Sequence, residues 1–208
     1  MIPFETVTVF FAASVALALV PGPDNVFVLT QSALHGRSAG LLVTLGLCTG
    51  LLGHTAAVSL GVAAIFQTSA LAFNALKFAG AAYLLYLGWQ AFRAGAANIE
   101  PGADAGTSWR KLYLRGIVMN ITNPKVAIFF LAFLPQFANP ARGSLTLQMM
   151  GFGAVFIVAT LLIFGSIAWT AGFLGEWLKN SRHAQIVMNR IAGAVFVGLA
   201  LRLATAAR

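Results

Sequence analysis

The sequence predicts an all-α integral membrane protein with six transmembrane helices, and three observations predict it. The first is composition, because 59% of the 208 residues are hydrophobic and only 9% are charged, whereas about 25% of residues are charged in an ordinary soluble domain. The second is an uncharged run over residues 38–76, which is long enough to cross a membrane and return. The third is a pair of proline-containing segments in apolar surroundings, which predict broken helices.

Six apolar segments follow one another along the chain, each at least as long as the roughly 20 residues that one membrane crossing requires. The predicted spans are about Phe4–Leu34 (broken at Pro21–Pro23), Gly40–Phe66, Ala70–Phe92, Lys111–Phe137 (broken at Pro124), Leu145–Phe173 and Ala184–Ala206. The last segment is the weakest, because Arg190 and Arg202 leave only 11 uncharged residues between them. A five-span protein is therefore the alternative.

Two polar stretches predict the connections that matter most. The uncharged run 38–76 must fold back on itself, and the cluster Gln67–Ser69 predicts the turn. The stretch 94–110 is polar and rich in Gly, Ala and Pro, which predicts a mobile loop. This loop divides a single transmembrane domain, residues 1–208, into a first repeat of about 1–93 and a second of about 111–208.

The distribution of Lys and Arg predicts the orientation in the membrane. The loops after spans one, three and five carry Arg37, Arg93, Arg110, Lys111, Arg115, Lys179, Arg182 and Arg190, and the other side carries Lys77, Arg142, Arg202 and Arg208. The positive-inside rule then places the 94–110 loop in the cytoplasm and both termini outside. Because each half has three spans, the two halves are predicted to be inverted. The same bias accounts for the net charge of +8 without nucleic-acid binding.

The sequence carries a trace of this inverted repeat. Aligning Pro23 with Pro124 matches "GPDNVFVL" to "NPKVAIFF", and the same offset of 101 residues places Gly50 on Gly151. Each half thus has a proline, then a charge, then an apolar run, and the charges, Asp24 and Lys125, have opposite signs. Broken spans in corresponding positions of two halves are a sequence indication of the binding site of a secondary transporter.

The prolines predict where backbone groups are left unpaired. Proline has no N–H and clashes with the preceding turn, so Pro21, Pro23 and Pro124 should each interrupt a helix or begin one. The freed groups must face protein or a water-filled cavity, because lipid cannot hydrogen-bond them. The positive ends of the second half-helices then favour an anionic group in that cavity.

Asp24 and Lys125 are the leading candidates for a site at the breaks. A charge near the centre of a membrane helix costs about 2.5–3.5 kcal/mol on insertion scales, and such residues are usually functional or paired. Asp24 and Lys125 are each other's expected partners if the breaks meet, with Arg190 and Arg202 as less central alternatives. The plainer interpretations are that Asp24 only satisfies its helix start and that Lys125 extends to the cytoplasmic surface.

The remaining polar residues of the breaks suit a small zwitterion. Its carboxylate would meet a half-helix N-terminus and Lys125, and its ammonium would meet Asp24 and carbonyls freed near Asn120. Asn25, Asn120 and Asn123 offer hydrogen bonds, unless they only cap helices or join them. His54 is a possible proton relay, although a lone histidine on an apolar helix is more often a packing residue.

Other functional classes have no support in the sequence. The chain contains one cysteine, Cys48, and neither clustered metal ligands nor the motifs of hydrolases or ATPases, so no enzyme activity, metal or cofactor is expected. The alternatives to transport of a zwitterion are export of a metal ion or another small solute, and a non-transporting membrane scaffold. Gly36/Gly40 and Gly46/Gly50 have the small-xxx-small spacing that allows close helix packing or a homo-oligomer.

Three motifs in register resemble the LysE/RhtB family of amino-acid exporters. They are "PGPDNVFVLTQSALHGRSAGLLVTLG" (21–46), "YLLYLGWQAFR" (83–93) and "GIVMNITNPKVAIFFLAFLPQF" (116–137). The resemblance covers essentially the whole chain. It implies a multi-pass exporter of amino acids or their derivatives in the bacterial inner membrane, with proton antiport and substrates of the homoserine, threonine, lysine or leucine type.

By motif position the resemblance implies a functional core at the two breaks, consisting of Pro21, Gly22, Pro23, Asp24, Asn120, Asn123, Pro124 and Lys125. The sequence departs from many relatives at Gln90, where a basic residue is expected. Relatives also vary at the position of Asp24, so the resemblance does not imply that this position carries protons in every member of the family.

Overall fold

The fold is all helical in the part of the chain that the computed structural model describes, residues 2–20, 22–62, 70–94 and 108–205. The α-helices are α1 (Phe4–Leu19), α2 (Pro23–His35), α3 (Arg37–Ala57), α4 (Ala70–Arg93), α5 (Trp109–Thr122), α6 (Pro124–Ile128), α7 (Leu145–Asn180) and α8 (Arg182–Thr205). A π-helical turn, Val58–Val62, extends α3. The predicted turn at 67–69 and most of the predicted loop, residues 95–107, lie outside the described residues.

The first predicted break separates α1 from α2. Pro23 occupies the first position of α2, where its missing N–H leaves no hydrogen bond unmade. The two helices form an angle of 63° and together are apolar and long enough for one bent span. The break at Pro23 is therefore confirmed, whereas Pro21 lies outside the described residues.

The second predicted break separates α5 from α6. Pro124 again occupies the first helical position, and the side chain of Asn123 caps the helix. After α6 the chain continues as a π-helical segment, Phe129–Phe133, and a 3₁₀ segment, Leu134–Phe137. The angle at this break is 51°, so the break at Pro124 is confirmed as well.

Three described helical segments are long and apolar enough to cross a membrane: Arg37–Gly61, Leu145–Ala171 and His183–Thr205. The two bent pairs raise the number to as many as five by length and composition. The prediction of a helical protein with several membrane-crossing segments is thus confirmed, and the last predicted segment is one of them. Helix α4 spans 24 residues but is not one of these five candidates among the described residues.

Phenylalanines form much of the core beside the second break. Phe10 of α1 packs on the rings of Phe129, Phe137 and Phe152 with centroids 4.8–5.9 Å apart. Such tilted aromatic pairs add to the stability given by the buried area. The cluster holds α1 against the segment that follows α6, which brings the two breaks together.

Close contact between α3 and α5 depends on two glycines. A Cβ on Gly46 would overlap the backbone carbonyl of Tyr113, and one on Gly116 would overlap that of Val43. The small-residue spacing at Gly46 and Gly50 therefore serves packing within the chain. Equivalent spans of the two predicted halves also pack on each other, α3 on α7 and α4 on α8.

Candidate functional site

The acid of the first break is buried and bonded to the second break. Asp24 has 3% of its surface exposed, and its Oδ2 accepts a hydrogen bond of 2.8 Å from Asn123 Nδ2. Gly22 and Pro23 precede it at the start of α2. Asn25, the next residue, donates from Nδ2 to the carbonyl of Ala18 at 2.7 Å. The first break thus presents a carboxylate to the second.

The amide of the second break serves both breaks. While Asn123 Nδ2 donates to Asp24, Asn123 Oδ1 accepts a hydrogen bond of 3.0 Å from the backbone N–H of Lys125. The side chain of a residue that caps a helix usually bonds only to the free backbone N–H groups in the first turn of that helix. Here the same side chain also supplies a charge-assisted hydrogen bond to a buried carboxylate.

The base of the second break bonds to the end of α1. Lys125 is buried, and its Nζ donates to the carbonyls of Val20 at 3.2 Å and Leu17 at 3.3 Å. The last carbonyls of a helix lack intrahelical donors, and the break leaves those of α1 open to a side chain. The sequence predicts that Asp24 and Lys125 are partners. In the structure the hydrogen-bond partner of Asp24 is Asn123, and Lys125 bonds to the carbonyls of Leu17 and Val20.

Asn120, on α5 before the second break, lies next to His54 of α3. Asn120 is buried, and a Cβ on Gly50 would come within 2.7 Å of its Oδ1, so α3 leaves room for this amide. The imidazole Nε2 of His54 lies 3.2 Å from the backbone carbonyl of Asn120. The imidazole also packs near the ring of Phe130, with centroids 5.6 Å apart. His54 thus contacts the site through a backbone carbonyl.

Lys125 lines two cavities. The inner cavity, of about 20 Å³, is lined by Leu17, Ala18, Asp24, Leu47, Asn120, Lys125, Val126, Phe156, Thr160 and Phe164. The outer chamber, of about 320 Å³ and more open, is lined by residues of the breaks, of α4 and of α8, among them Asn123, Lys125, Gln90 and Asn189. Asp24 and Lys125 thus line one cavity. Among the described residues, no group of three His, Cys, Asp or Glu is placed to hold a metal ion.

Burying one carboxylate and one ammonium at the same place makes the site neutral overall. Either charge alone would carry a large desolvation cost. Asp24 accepts a hydrogen bond from the second break, and Lys125 donates to carbonyls at the first. A neutral site with separated charges complements a dipolar solute better than an ion. The geometry therefore favours binding of a small zwitterion.

Sequence reasoning missed two parts of the site. One is the pair of backbone carbonyls, Leu17 and Val20, which no residue pattern marks as partners of Lys125. The other is Thr160 of α7, which lines the inner cavity. A signal for Thr160 exists in hindsight, because it lies four residues from both Phe156 and Phe164 and so shares their face of the helix.

Comparisons with known proteins agree on one family. The model of the LysE type translocator family matches residues 15–207. A homoserine/homoserine lactone efflux protein of Salmonella typhimurium is 34% identical over 204 residues, which is 98% of each chain. An uncharacterized membrane protein of Vibrio cholerae is 33% identical over 197 residues, 95% of each chain. A leucine efflux protein of Enterobacter is 28% identical over 193 residues, 91% of this chain and 90% of the relative. No solved structure matches.

Proposed function

We propose that this chain, which belongs to the LysE type translocator family, is a secondary transporter that exports amino acids or amino-acid derivatives across the bacterial inner membrane. The observation that carries the proposal is the buried contact between the two helix breaks, in which Asn123 joins Asp24 to the start of α6. Broken helices that meet around buried charges are the arrangement that secondary transporters use to bind solutes.

The names of the relatives support an amino-acid substrate. Homoserine, homoserine lactone and leucine all carry a primary ammonium on the carbon next to a carbonyl group, although the lactone has no carboxylate. A buried carboxylate such as Asp24 is the natural partner of that ammonium. Lys125 and the N-terminus of α6 would receive a carboxylate where the substrate has one.

We further propose six spans in two inverted halves, with α1 to α4 in the first and α5 to α8 in the second. The proposal takes α4 as the third span. The pairing of α3 with α7 and of α4 with α8 supports it, because these are the second and third spans of each half. The distribution of Lys and Arg then places the segment 94–110 in the cytoplasm and both termini outside.

In this orientation the outer chamber extends toward the cytoplasmic end of α4. Gln90 and Asn189 line it near the cytoplasmic ends of α4 and α8, and Asn123 and Lys125 line its inner part. A chamber of about 320 Å³ lies within the usual range for small-molecule sites. The substrate would enter here, displace the contacts of Lys125 and leave on the other side after the halves rearrange. Proton antiport would use Asp24 as the carrier in the return step.

Transport by purified protein tests this proposal. Proteoliposomes carrying the protein and an imposed pH gradient should move at least one member of a panel of basic, branched and hydroxy amino acids. Asp24→Asn and Lys125→Met should abolish this movement, whereas the exposed controls Glu5→Gln and Lys111→Met should retain it. If wild-type protein moves no amino acid in the panel, the proposal is wrong.

Accessibility of single cysteines tests the orientation. In a Cys48→Ala background, Ser108→Cys and Ser144→Cys place thiols on two exposed positions that precede α5 and α7. A membrane-impermeant thiol reagent added to intact cells should label Ser144→Cys and leave Ser108→Cys unlabelled until the cells are opened. Labelling of both positions from outside contradicts the six-span arrangement.

A further inference from the structure

Three buried oxygen atoms, each on a residue that lines the inner cavity, have no hydrogen-bond partner among the described residues. They are Asp24 Oδ1, Asn120 Oδ1 and Thr160 Oγ1, and the three residues are each at most 3% exposed. All three residues line the cavity of about 20 Å³. A polar atom that is buried without a partner is destabilising, so three at one cavity indicate a site for a ligand group.

The hydroxyl of Thr160 differs from most buried hydroxyls of this protein. Ser14, Ser32, Thr44 and Thr55 each donate to the carbonyl four residues earlier in their own helix. Thr160 makes no such bond. Its hydroxyl therefore remains free for a ligand in the cavity.

The size and charge of the cavity restrict its occupant. A cavity must offer about 10–15 Å³ to hold one water molecule, so about 20 Å³ accommodates one group of that size and not a whole amino acid. The available atoms include a carboxylate oxygen and an amide oxygen, which are hydrogen-bond acceptors, and a hydroxyl, which also accepts. The ammonium of Lys125 is already bonded to the carbonyls of Leu17 and Val20.

We propose that Asp24, Asn120 and Thr160 form the subsite for the primary ammonium of the transported substrate, with one N–H directed to each oxygen. This inference rests on the proposed function and assigns Thr160 as a specificity-determining residue. A primary ammonium has three donors, one positive charge and nearly the size of water. The apolar walls, which include Leu47, Phe156 and Phe164, leave no room for a methyl or acyl group on the nitrogen in addition to the carbon that already carries it.

A sodium ion is the other small cation that three oxygen ligands attract. It differs from an ammonium in requiring more ligands than these three oxygens and no hydrogen-bond geometry. The observations therefore favour the ammonium, and the dependence on Na⁺ becomes one arm of the test.

Substitution of Thr160 tests the subsite in proteoliposomes. Thr160→Val removes the hydroxyl with little change in shape, and its half-saturation concentration for the transported amino acid should rise roughly 10-fold, because a hydrogen bond to a charged group is lost. Thr160→Ser should restore the wild-type value. Thr44→Val is the matched control, since it removes a buried hydroxyl whose bond stays within α3, and it should leave half-saturation unchanged.

Substrate analogues provide a readout that a structural role of Thr160 would not change. In wild-type protein, the α-hydroxy and N-methyl analogues of the transported amino acid should compete at least about 10-fold more weakly than the amino acid itself. In Thr160→Val this gap should narrow. Equal competition by the hydroxy analogue in wild type contradicts the subsite, as does a Thr160→Val protein that behaves like Thr44→Val.

Binding measured without transport separates this inference from the proposed function. Methylammonium chloride should raise the melting temperature of the detergent-solubilised wild-type protein above its value in NaCl of equal ionic strength, and Thr160→Val should lose the increase. No increase in wild type, or an increase with NaCl alone that Thr160→Val abolishes, contradicts the ammonium subsite. Failure of wild type to transport any amino acid contradicts the proposed function, whatever methylammonium does.

Discussion

The two helix breaks of this protein satisfy their free backbone groups in different ways. At the first break no side chain caps the start of α2, which Gly22 precedes. At the second break Asn123 caps the start of α6 with its own amide oxygen. The same sequence event, a proline at the first helical position, thus produces one uncapped and one capped helix start.

The helix ends before the breaks differ as well. At the end of α1, side-chain donors reach the carbonyls of Leu17, Ala18 and Val20, and two of these three bonds come from Lys125. At the end of α5, the carbonyl of Asn120 accepts from the backbone of Asn123 and contacts His54. The carbonyls of Leu17 and Val20 at the first break thus depend on Lys125 of the second break for a donor. The carbonyl at the second break receives its hydrogen bond from the backbone of Asn123, which belongs to the same break.

The two breaks also supply different chemical groups. The first break supplies acceptors, namely a carboxylate and open carbonyls, and the second supplies an amide and an ammonium. Neither break is complete alone, so the site forms only when the two proposed halves pack together. Its binding chemistry and its stability therefore depend on the same contacts.

Removal of the Lys125 ammonium should have the largest effect. Lys125→Met leaves Asp24 as an uncompensated buried charge, which typically costs about 3–5 kcal/mol of stability, and transport should fall by more than about 100-fold. The melting temperature in detergent and efflux from proteoliposomes measure the two effects. Lys111→Met, an exposed position on α5, is the control.

The double variant Asp24→Asn/Lys125→Met separates stability from function. It removes both charges, and an asparagine at position 24 still accepts from Asn123, so more than half of the lost stability should return while transport stays absent. Additive losses of stability would contradict the dependence of one break on the other.

Asn123 should rank second, because it connects the two breaks. Asn123→Ser keeps an oxygen that caps α6 but removes the donor to Asp24, so we expect a loss of about 1–3 kcal/mol in stability and about 10-fold in transport. Asn139→Ser is a close control, since Asn139 also precedes a proline and caps a short helix with its side chain. An equal loss in both variants would show that only the cap matters.

The sequence predicts the positions of these breaks well, and physical chemistry explains why. Pro23 and Pro124 must begin helices because proline cannot continue one, and an apolar run must be helical to cross a membrane. The opposite charges of Asp24 and Lys125 are likewise visible in the alignment of the two halves. The partner of Asp24 was not predictable, because whether a lysine or an amide reaches a carboxylate depends on a 51° bend that no residue pattern encodes.

Backbone partners are the other part that sequence reasoning misses. The carbonyls of Leu17 and Val20 belong to ordinary apolar residues, and only the end of α1 makes them acceptors for Lys125. Thr160 was missed for a related reason. Ser166 and Thr170 on the same helix bond to their own backbone, so a hydroxyl in an apolar run does not by itself indicate a binding site.

A methyl group on Gly50 tests the space around Asn120 and should affect stability in the same range as Asn123→Ser. Gly50→Ala places a Cβ 2.7 Å from Asn120 Oδ1, and the overpacking should cost about 1–3 kcal/mol and shift the amide in the inner cavity. Gly53→Ala, one turn later on α3, meets no atom within 4 Å and should stabilise the helix by up to about 1 kcal/mol. The measurement is the melting temperature of each variant. Equal melting temperatures for Gly50→Ala and Gly53→Ala would show that the space beside Asn120 does not restrict position 50.

Replacement of His54 should have the smallest effect and decides between packing and proton transfer. His54→Phe keeps an aromatic ring beside Phe130 and removes the contact with the carbonyl of Asn120, which still accepts from the backbone of Asn123. No buried group is left unsatisfied, so the cost should be about 0.5–1.5 kcal/mol, with transport within about threefold of wild type. The measurement is efflux at several values of pH. A large loss, or an altered pH profile with unchanged melting temperature, would assign His54 to the proton pathway and make the second break the site of coupling as well as of binding.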